Sequence, residues 1–134
     1  MAGYSGTPLY RKLGIEPGQT ICVIGAPMSY AALIGPDAPE VRIVADDHPD
    51  TDITHVFVTQ RAARISALDQ ALVSMAHNGM IWVSWPKKSA RVPSEVTEDT
   101  IRACALPRGL VDVKVCAVDD IWSGLKLVIR KELR

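Results

Sequence analysis

A glycine and an acidic residue twenty-one positions apart are the residues in this sequence best placed to hold a nucleoside ligand. The stretch TICVIGAPMSY, residues 20–30, is an apolar run that ends at Gly25 and continues into a turn of small residues, and Asp46 follows further along the chain. In sheets that bind dinucleotides or S-adenosylmethionine, a glycine after the first strand lets the backbone approach the ligand, and an acid about 20 residues later binds ribose hydroxyls. The spacing predicts a cofactor site made of Gly25, Ala26, Tyr30 and Asp46.

The same turn lacks features that are typical of cofactor loops. GAPMSY holds one glycine where such loops have about two or three, and Pro27 removes a backbone N–H donor where a ligand would need one. Two interpretations stay open: a site for S-adenosylmethionine, or a tight turn retained for its geometry. The depleted loop favours the second, and no other cofactor is indicated.

A second set of candidate residues is basic. Arg61 begins a predicted helix directly after a strand, and SWPKKSAR places Lys87 and Lys88 beyond the end of another strand. The helix dipole disfavours an arginine in the first turn. Either these cations pair with acidic residues or stay solvated, or they hold a small anionic ligand. Arg61, Lys87 and Lys88 are therefore the candidate anion-binding residues.

Metal binding and side-chain catalysis find little support in the sequence. DDHPDTD clusters four aspartates around His48, but it lacks the glycine and the distal glutamate of a calcium loop. It predicts a solvated acidic turn and no metal site. His55 and His77 are expected to be structural, and no serine–histidine–acid or cysteine–histidine set can be assembled. The catalytic residues, if there are any, stay unknown.

Composition narrows the range of partners. The 134 residues include fifteen acidic and fifteen basic side chains, so nothing in the net charge attracts nucleic acid. The length fits a single domain, 1–134. No apolar run approaches the roughly 20 residues of a membrane span, and no signal peptide is evident. Cys22, Cys104 and Cys116 are too far apart for a metal or redox motif and are expected to be buried free thiols. These features predict a cytoplasmic protein without membrane contact.

Hydrophobic patterning predicts an alternation of strands and helices. Apolar runs of strand length, each turning polar at its end, lie at 20–26, 41–47, 53–60 and 80–88. Helical spacing and stop signals predict helices over 61–77 and from Thr97 to Gly109. The last two strands, 110–120 and 124–133, are too close together for a crossover helix and should form an antiparallel pair.

This arrangement resembles the class I methyltransferase form of the Rossmann fold. The fold class is α/β: a mostly parallel sheet with helices on both faces and a C-terminal antiparallel hairpin. The connection from Asp46 to Asp52 is too short for a helical crossover. The resemblance therefore implies a reduced sheet, in which one strand and one or two helices are absent.

Four segments carry a second resemblance, which covers nearly the whole chain: MAGYSGTPL, KLGIEPG, VSWPKK and GLVDVKVCAVDDIWSGLKLVIRK. They resemble a family of small bacterial proteins catalogued as a domain of unknown function. This resemblance implies no established activity and no catalytic residues.

Three functional hypotheses come from different classes. Methyl transfer depends on holding two reactants in alignment, and a chain this short has little material for a second binding wall. We therefore favour a non-catalytic ligand-binding or interaction module on a reduced methyltransferase-like scaffold. One alternative is a small S-adenosylmethionine-dependent methyltransferase. The other is a structural partner protein that docks through its terminal hairpin.

Assembly can be predicted from the two sheet edges. The edge strand of the hairpin carries Asp112 and Lys114, and such charges oppose strand-to-strand pairing. The strand 41–45 lacks covering helices in a shortened fold, which would leave apolar side chains partly exposed: Val41, Ile43 and Val44. We expect a homodimer or a protein partner to contact that edge rather than the hairpin.

Overall fold

A six-stranded sheet forms the middle layer of the computed structural model, which describes residues 7–45 and 50–133. The strands are β1 (Thr20–Ile24), β2 (Arg42–Val44), β3 (Thr51–Phe57), β4 (Met75–Pro86), β5 (Leu110–Ala117) and β6 (Trp122–Ile129). Their order in space is β2-β1-β3-β4-β6-β5. β1 to β4 pair in parallel, and β6 runs antiparallel to both β4 and β5. The predicted parallel sheet with its terminal antiparallel hairpin is confirmed.

The helices are short except for one. They are α1 (Leu9–Lys12), α2 (Tyr30–Ile34), α3 (Arg61–Ser74) and α4 (Glu98–Ala105). α4 begins at the predicted cap, since the Thr97 hydroxyl accepts a hydrogen bond from the Thr100 backbone N–H and the Thr100 hydroxyl accepts one from the N–H of Thr97. α2 ends after five residues because Gly35 takes a positive φ of 91° and Pro36 follows it.

The helices cover opposite faces of the sheet. On one face, Leu68 of α3 and Ile101 of α4 pack against Val83 of β4. On the other, Leu13 and Tyr30, from the α1 and α2 region, pack with Trp82 of β4. Neighbouring residues of one strand thus belong to different cores, as the alternation of side chains along a strand requires. The Trp82 indole N–H also donates to the Leu13 carbonyl at 3.0 Å, which ties α1 to the sheet.

The predicted end of the helix over 61–77 is wrong by three residues. α3 ends at Ser74, and residues 75–79 belong to β4, because Met75 pairs with Thr51 of β3. Gly79 does not stop the helix. It lies in a bulge of β4, where a Cβ would stand 3.0 Å from the carbonyl oxygens of Ala76 and Thr51. Only glycine lets three stretches of backbone come this close.

The connection between β2 and β3 is short, as predicted, and leaves no room for a crossover helix. Asp46, Asp47 and His48, which include the predicted ribose-binding acid and the acidic turn, lie outside the described residues. β2 forms one edge of the sheet and β5 the other, because β6 inserts beside β4.

Two further predictions can be compared with the structure. Cys22 and Cys104 are buried as expected, whereas Cys116 is only half-buried. Among the described residues, no helix combines the length and the apolar character that a membrane crossing needs.

Candidate ligand site

The order of strands reverses between β1 and β3. From β1 the chain passes through α2 to β2 on one side, and β3 then returns to pair with β1 on the other side. In open parallel sheets, ligands bind outside the carboxyl ends of the strands at such a reversal. The turn from Gly25 to Ser29, which follows β1, occupies this position. We call it the Gly25 edge.

Two observations show why glycine is needed at position 25. Its φ is +73°, a backbone conformation that other residues adopt only with strain. A Cβ at this position would also lie 2.7 Å from the carbonyl oxygen of Phe57, the last residue of β3. The turn therefore rests backbone against backbone on the end of β3. Gly25, Pro27 and Ser29 are exposed, and Ala26 and Met28 between them are half-buried.

Tyr30 points away from this edge into the protein. Its side chain is 5% exposed, and its hydroxyl lies 2.8 Å from Nδ1 of His55. Nε2 of His55 lies 2.7 Å from the Ser84 hydroxyl. His55 and Ser84 are fully buried on β3 and β4. These three residues form a continuous hydrogen-bonded row from α2 across two strands, which we call the polar chain.

Burial controls the protonation of the polar chain. It lowers the pKa of His55 from 6.5 to about 3, so the imidazole is neutral at physiological pH. Burial also raises the pKa of Tyr30, with a smaller effect in the same direction from Cys116. A neutral imidazole has one donor and one acceptor nitrogen. Either Tyr30 donates to His55 and His55 to Ser84, or both bonds run in the opposite direction.

Aromatic rings complete the surroundings of His55. The Phe57 ring stacks on the imidazole with a centroid distance of 4.4 Å and an interplanar angle of 12°. Trp122 meets Phe57 edge-on at 5.3 Å. His55 is thus enclosed by aromatic side chains and hydrogen bonds, and its structural role stays a prediction.

Sequence reasoning did not identify the polar chain as a unit. A signal was present, because ITHVFV places Thr54 and His55, and MIWVSW places Ser84, within apolar strands. A buried polar group needs a partner. Two such residues on neighbouring strands could therefore have been predicted to meet.

The predicted anion-binding residues lie at two different clefts. Lys87 and Lys88 line a cleft of about 210 Å³ beside Trp85, and the Lys87 ammonium donates to the Asp119 carbonyl at 2.8 Å. Arg61 lines a separate cleft of about 450 Å³ between α3 and α4. No described cleft contains all three cations, and whether any of them binds an anion stays a prediction.

Within residues 7–45 and 50–133, no three histidine, cysteine, aspartate or glutamate side chains are placed to hold a metal ion. Of the four predicted cofactor residues, Gly25 and Ala26 lie at the carboxyl edge and Tyr30 lies beneath it. Asp46 is not among the described residues.

No protein-family model matches this sequence, and no curated protein matches it by sequence similarity. Solved structures match the fold. A SAM-dependent methyltransferase from Aquifex aeolicus aligns with a TM-score of 0.66 and 12% identity over 90% of this chain and 88% of its own. The ribosomal protein L11 methylase from Lactobacillus delbrueckii subsp. bulgaricus aligns with a TM-score of 0.60 and 10% identity over 91% of this chain and 75% of its own.

A third structure, OxaC in complex with SAH and oxaline, aligns with a TM-score of 0.60 and 12% identity over 92% of this chain but 46% of its own. Identities this low show the fold alone. The strand order and the matching solved structures lead to the same conclusion. This chain has the α/β fold of the class I S-adenosylmethionine-dependent methyltransferases, with a mostly parallel sheet and a C-terminal antiparallel hairpin.

Proposed function

We propose that this chain binds S-adenosylmethionine at the Gly25 edge and acts as a small methyltransferase. The observation that carries the proposal is the contact between Gly25 and the Phe57 carbonyl, at the point where the strand order reverses. There Gly25 is exposed, Ala26 is half-buried beside it, and no side chain at position 25 covers the main chain.

The residues present fit such a cofactor in part. Gly25 and Ala26 would hold it through their main chain, and the Asp46 carboxylate would accept hydrogen bonds from the ribose hydroxyls. Tyr30 would support the turn from below, because its hydroxyl is engaged by His55. When bound, the cofactor would supply an electrophilic methyl group. The chain's own contribution would be to hold and orient the reactants.

The length of this chain is compatible with a methyltransferase. The sequence alone favoured a non-catalytic module because a short chain has little material for a second binding wall. The Aquifex methyltransferase has nearly the same length as this chain, since the alignment covers almost all of both. That comparison supports the enzyme over the module.

A non-catalytic ligand-binding or interaction module is the second candidate. The inward direction of Tyr30 favours it, because one of the four predicted cofactor residues is then unable to offer its hydroxyl to a ligand. The single glycine and Pro27 in the turn point the same way. In this case the Gly25 edge is a structural turn.

Isothermal titration calorimetry with S-adenosylmethionine and S-adenosylhomocysteine separates the two candidates. We expect micromolar dissociation constants that weaken at least about tenfold in Asp46→Ala. Asp37→Ala is the matched control, because Asp37 is an exposed acid in the loop before β2, and it should bind like the wild type. Absence of binding at about millimolar ligand, or equal binding by both variants, would overturn the proposal.

A further inference from the structure

The cleft between α3 and α4 has the size of a ligand site and belongs to neither the Gly25 edge nor the polar chain. Its volume is about 450 Å³, within the range of small-molecule pockets. α3 contributes Arg61 and Ile65, α4 contributes Ala103 and Cys104, and Glu95 enters from the loop that precedes α4. We call it the α3–α4 cleft.

The floor of the cleft is apolar. Ile65 lies at helical spacing with buried Leu68, yet it is 37% exposed because it faces the cleft rather than the core. Ala103 is exposed beside it on α4, and Cys104 is buried at the base. Such a surface suits a short aliphatic group.

Charges of opposite sign stand at one end of the cleft. The Glu95 carboxylate accepts a hydrogen bond from the Arg61 backbone N–H at 3.1 Å, which fixes Glu95 at the start of α3. In the described part of the chain, neither the Arg61 guanidinium nor the Glu95 carboxylate forms an ion pair. One positive and one negative group therefore face the same space without neutralising each other.

The cation at the other end of the cleft is already engaged. Arg108 donates from Nε to Oδ1 of Asp69 at 2.7 Å and from Nη1 to the Cys104 carbonyl at 2.8 Å. The hydrogen bond from Arg108 lowers the pKa of Asp69, which keeps this pair ionised. Arg108 thus closes the cleft, while Arg61 and Glu95 remain available to a ligand.

We propose that the α3–α4 cleft binds a free α-amino acid with an aliphatic side chain. Its carboxylate would pair with Arg61, its ammonium group with Glu95, and its side chain would cover Ile65 and Ala103. A simple carboxylate would meet repulsion from Glu95, and a simple amine would meet repulsion from Arg61. Only a molecule that carries both charges and an apolar side chain can pair with Arg61 and Glu95 and also cover the apolar surface of the cleft.

NMR titration of the ¹⁵N-labelled full chain tests the charge requirement. The probes are L-leucine, 4-methylpentanoate, which lacks the ammonium group, and 3-methylbutylamine, which lacks the carboxylate. We expect saturable shifts of the Ile65 and Ala103 amide signals with L-leucine, and affinities at least about tenfold weaker for the two analogues. Equal affinities for the three probes, or no saturable shift at about 10 mM L-leucine, would overturn the proposal.

Variants test the position of the site. Glu95→Gln keeps an oxygen that can accept from the Arg61 N–H but removes the charge, and Arg61→Gln removes the opposite charge; each should weaken L-leucine binding about tenfold. Ala103→Phe should block the cleft, whereas Ala62→Phe, an exposed alanine on α3 that does not line it, is the control. Thermal unfolding checks that each variant is folded. Retained L-leucine binding by folded Ala103→Phe would contradict the proposed position.

Discussion

The Gly25 edge and the polar chain are neighbours built in opposite ways. The edge consists of exposed and half-buried residues, and no charged side chain lies in it. The polar chain consists of three buried side chains, two of which titrate far from their ordinary pKa values. Tyr30 connects them, because it follows the exposed turn directly while its hydroxyl reaches His55. Under the proposed function, ligand contact would depend on backbone shape, and the strongly perturbed groups would hold that shape.

The largest expected effect is on the edge itself. Gly25→Ala should lower the free energy of unfolding by about 3 kcal/mol, because the new methyl group would meet the Phe57 carbonyl and the positive φ would add strain. Gly18→Ala is the matched control. Its φ is +80° and the space around it is open, so only the strain of about 1 kcal/mol applies. Chemical denaturation measures both. Equal losses would mean that the backbone contact at Phe57 contributes nothing.

Acid should destabilise the protein through the polar chain. His55 has a pKa of about 3 when folded and 6.5 when unfolded. Above pH 6.5 the imidazole is neutral in both states and the free energy of unfolding is at its full value. As the pH falls from 6.5 toward 3, protons bind the unfolded state more strongly and the free energy of unfolding decreases. Between pH 7.5 and 4.5 the loss should reach roughly 2 to 3 kcal/mol.

The control for this titration is His55→Gln, which should be less stable at neutral pH and should lack the His55 contribution to the slope. Asp69 and Asp112 contribute little to the change in stability between pH 7.5 and 4.5, because hydrogen bonds from arginines hold their pKa values below 3.8. Urea unfolding at each pH gives the slope. Parallel slopes for wild type and variant would contradict the role given to His55.

Smaller losses are expected at the two ends of the polar chain. Tyr30→Phe and Ser84→Ala each remove one hydrogen bond to His55 and should cost about 1 kcal/mol. Because the tautomer of one imidazole sets the direction of both bonds, the double variant should deviate from additivity by about 0.5 kcal/mol. If Tyr30 only supports the turn, Tyr30→Phe should also keep its affinity for S-adenosylmethionine. A tenfold loss of affinity would instead give the hydroxyl a direct place in the site.

The weakest expected effect concerns the exposed edge of the sheet. Ile43 on the edge strand β2 is 41% exposed, and Val41 and Val44 are half-buried beside it. We propose a weak homodimer there, with a dissociation constant on the order of 100 µM. Light scattering across a concentration series should show it, and Ile43→Glu should abolish it without unfolding the chain. Val113→Glu, at the opposite edge on β5, is the control. A monomer at several hundred micromolar would contradict the dimer.

The positions of the strands could be predicted from the sequence more accurately than the directions in which side chains point. Apolar runs and turn residues marked the parallel strands and the hairpin, because these patterns follow from burial along the backbone. The end of α3 was placed wrongly since Met75 is buried either way, in a helix or in a strand. The direction of Tyr30 and the separation of Arg61 from Lys87 depend on how distant segments pack. No local pattern contains that information.

The position of β6 has a consequence for the order of folding. This strand comes last along the chain, yet it lies inside the sheet, and β5 reaches the rest of the sheet only by pairing with it. β5 therefore joins the sheet no earlier than β6 docks on β4. The backbone amides of β5 should become protected from hydrogen exchange no earlier than those of β6, and they should lose that protection whenever β6 detaches.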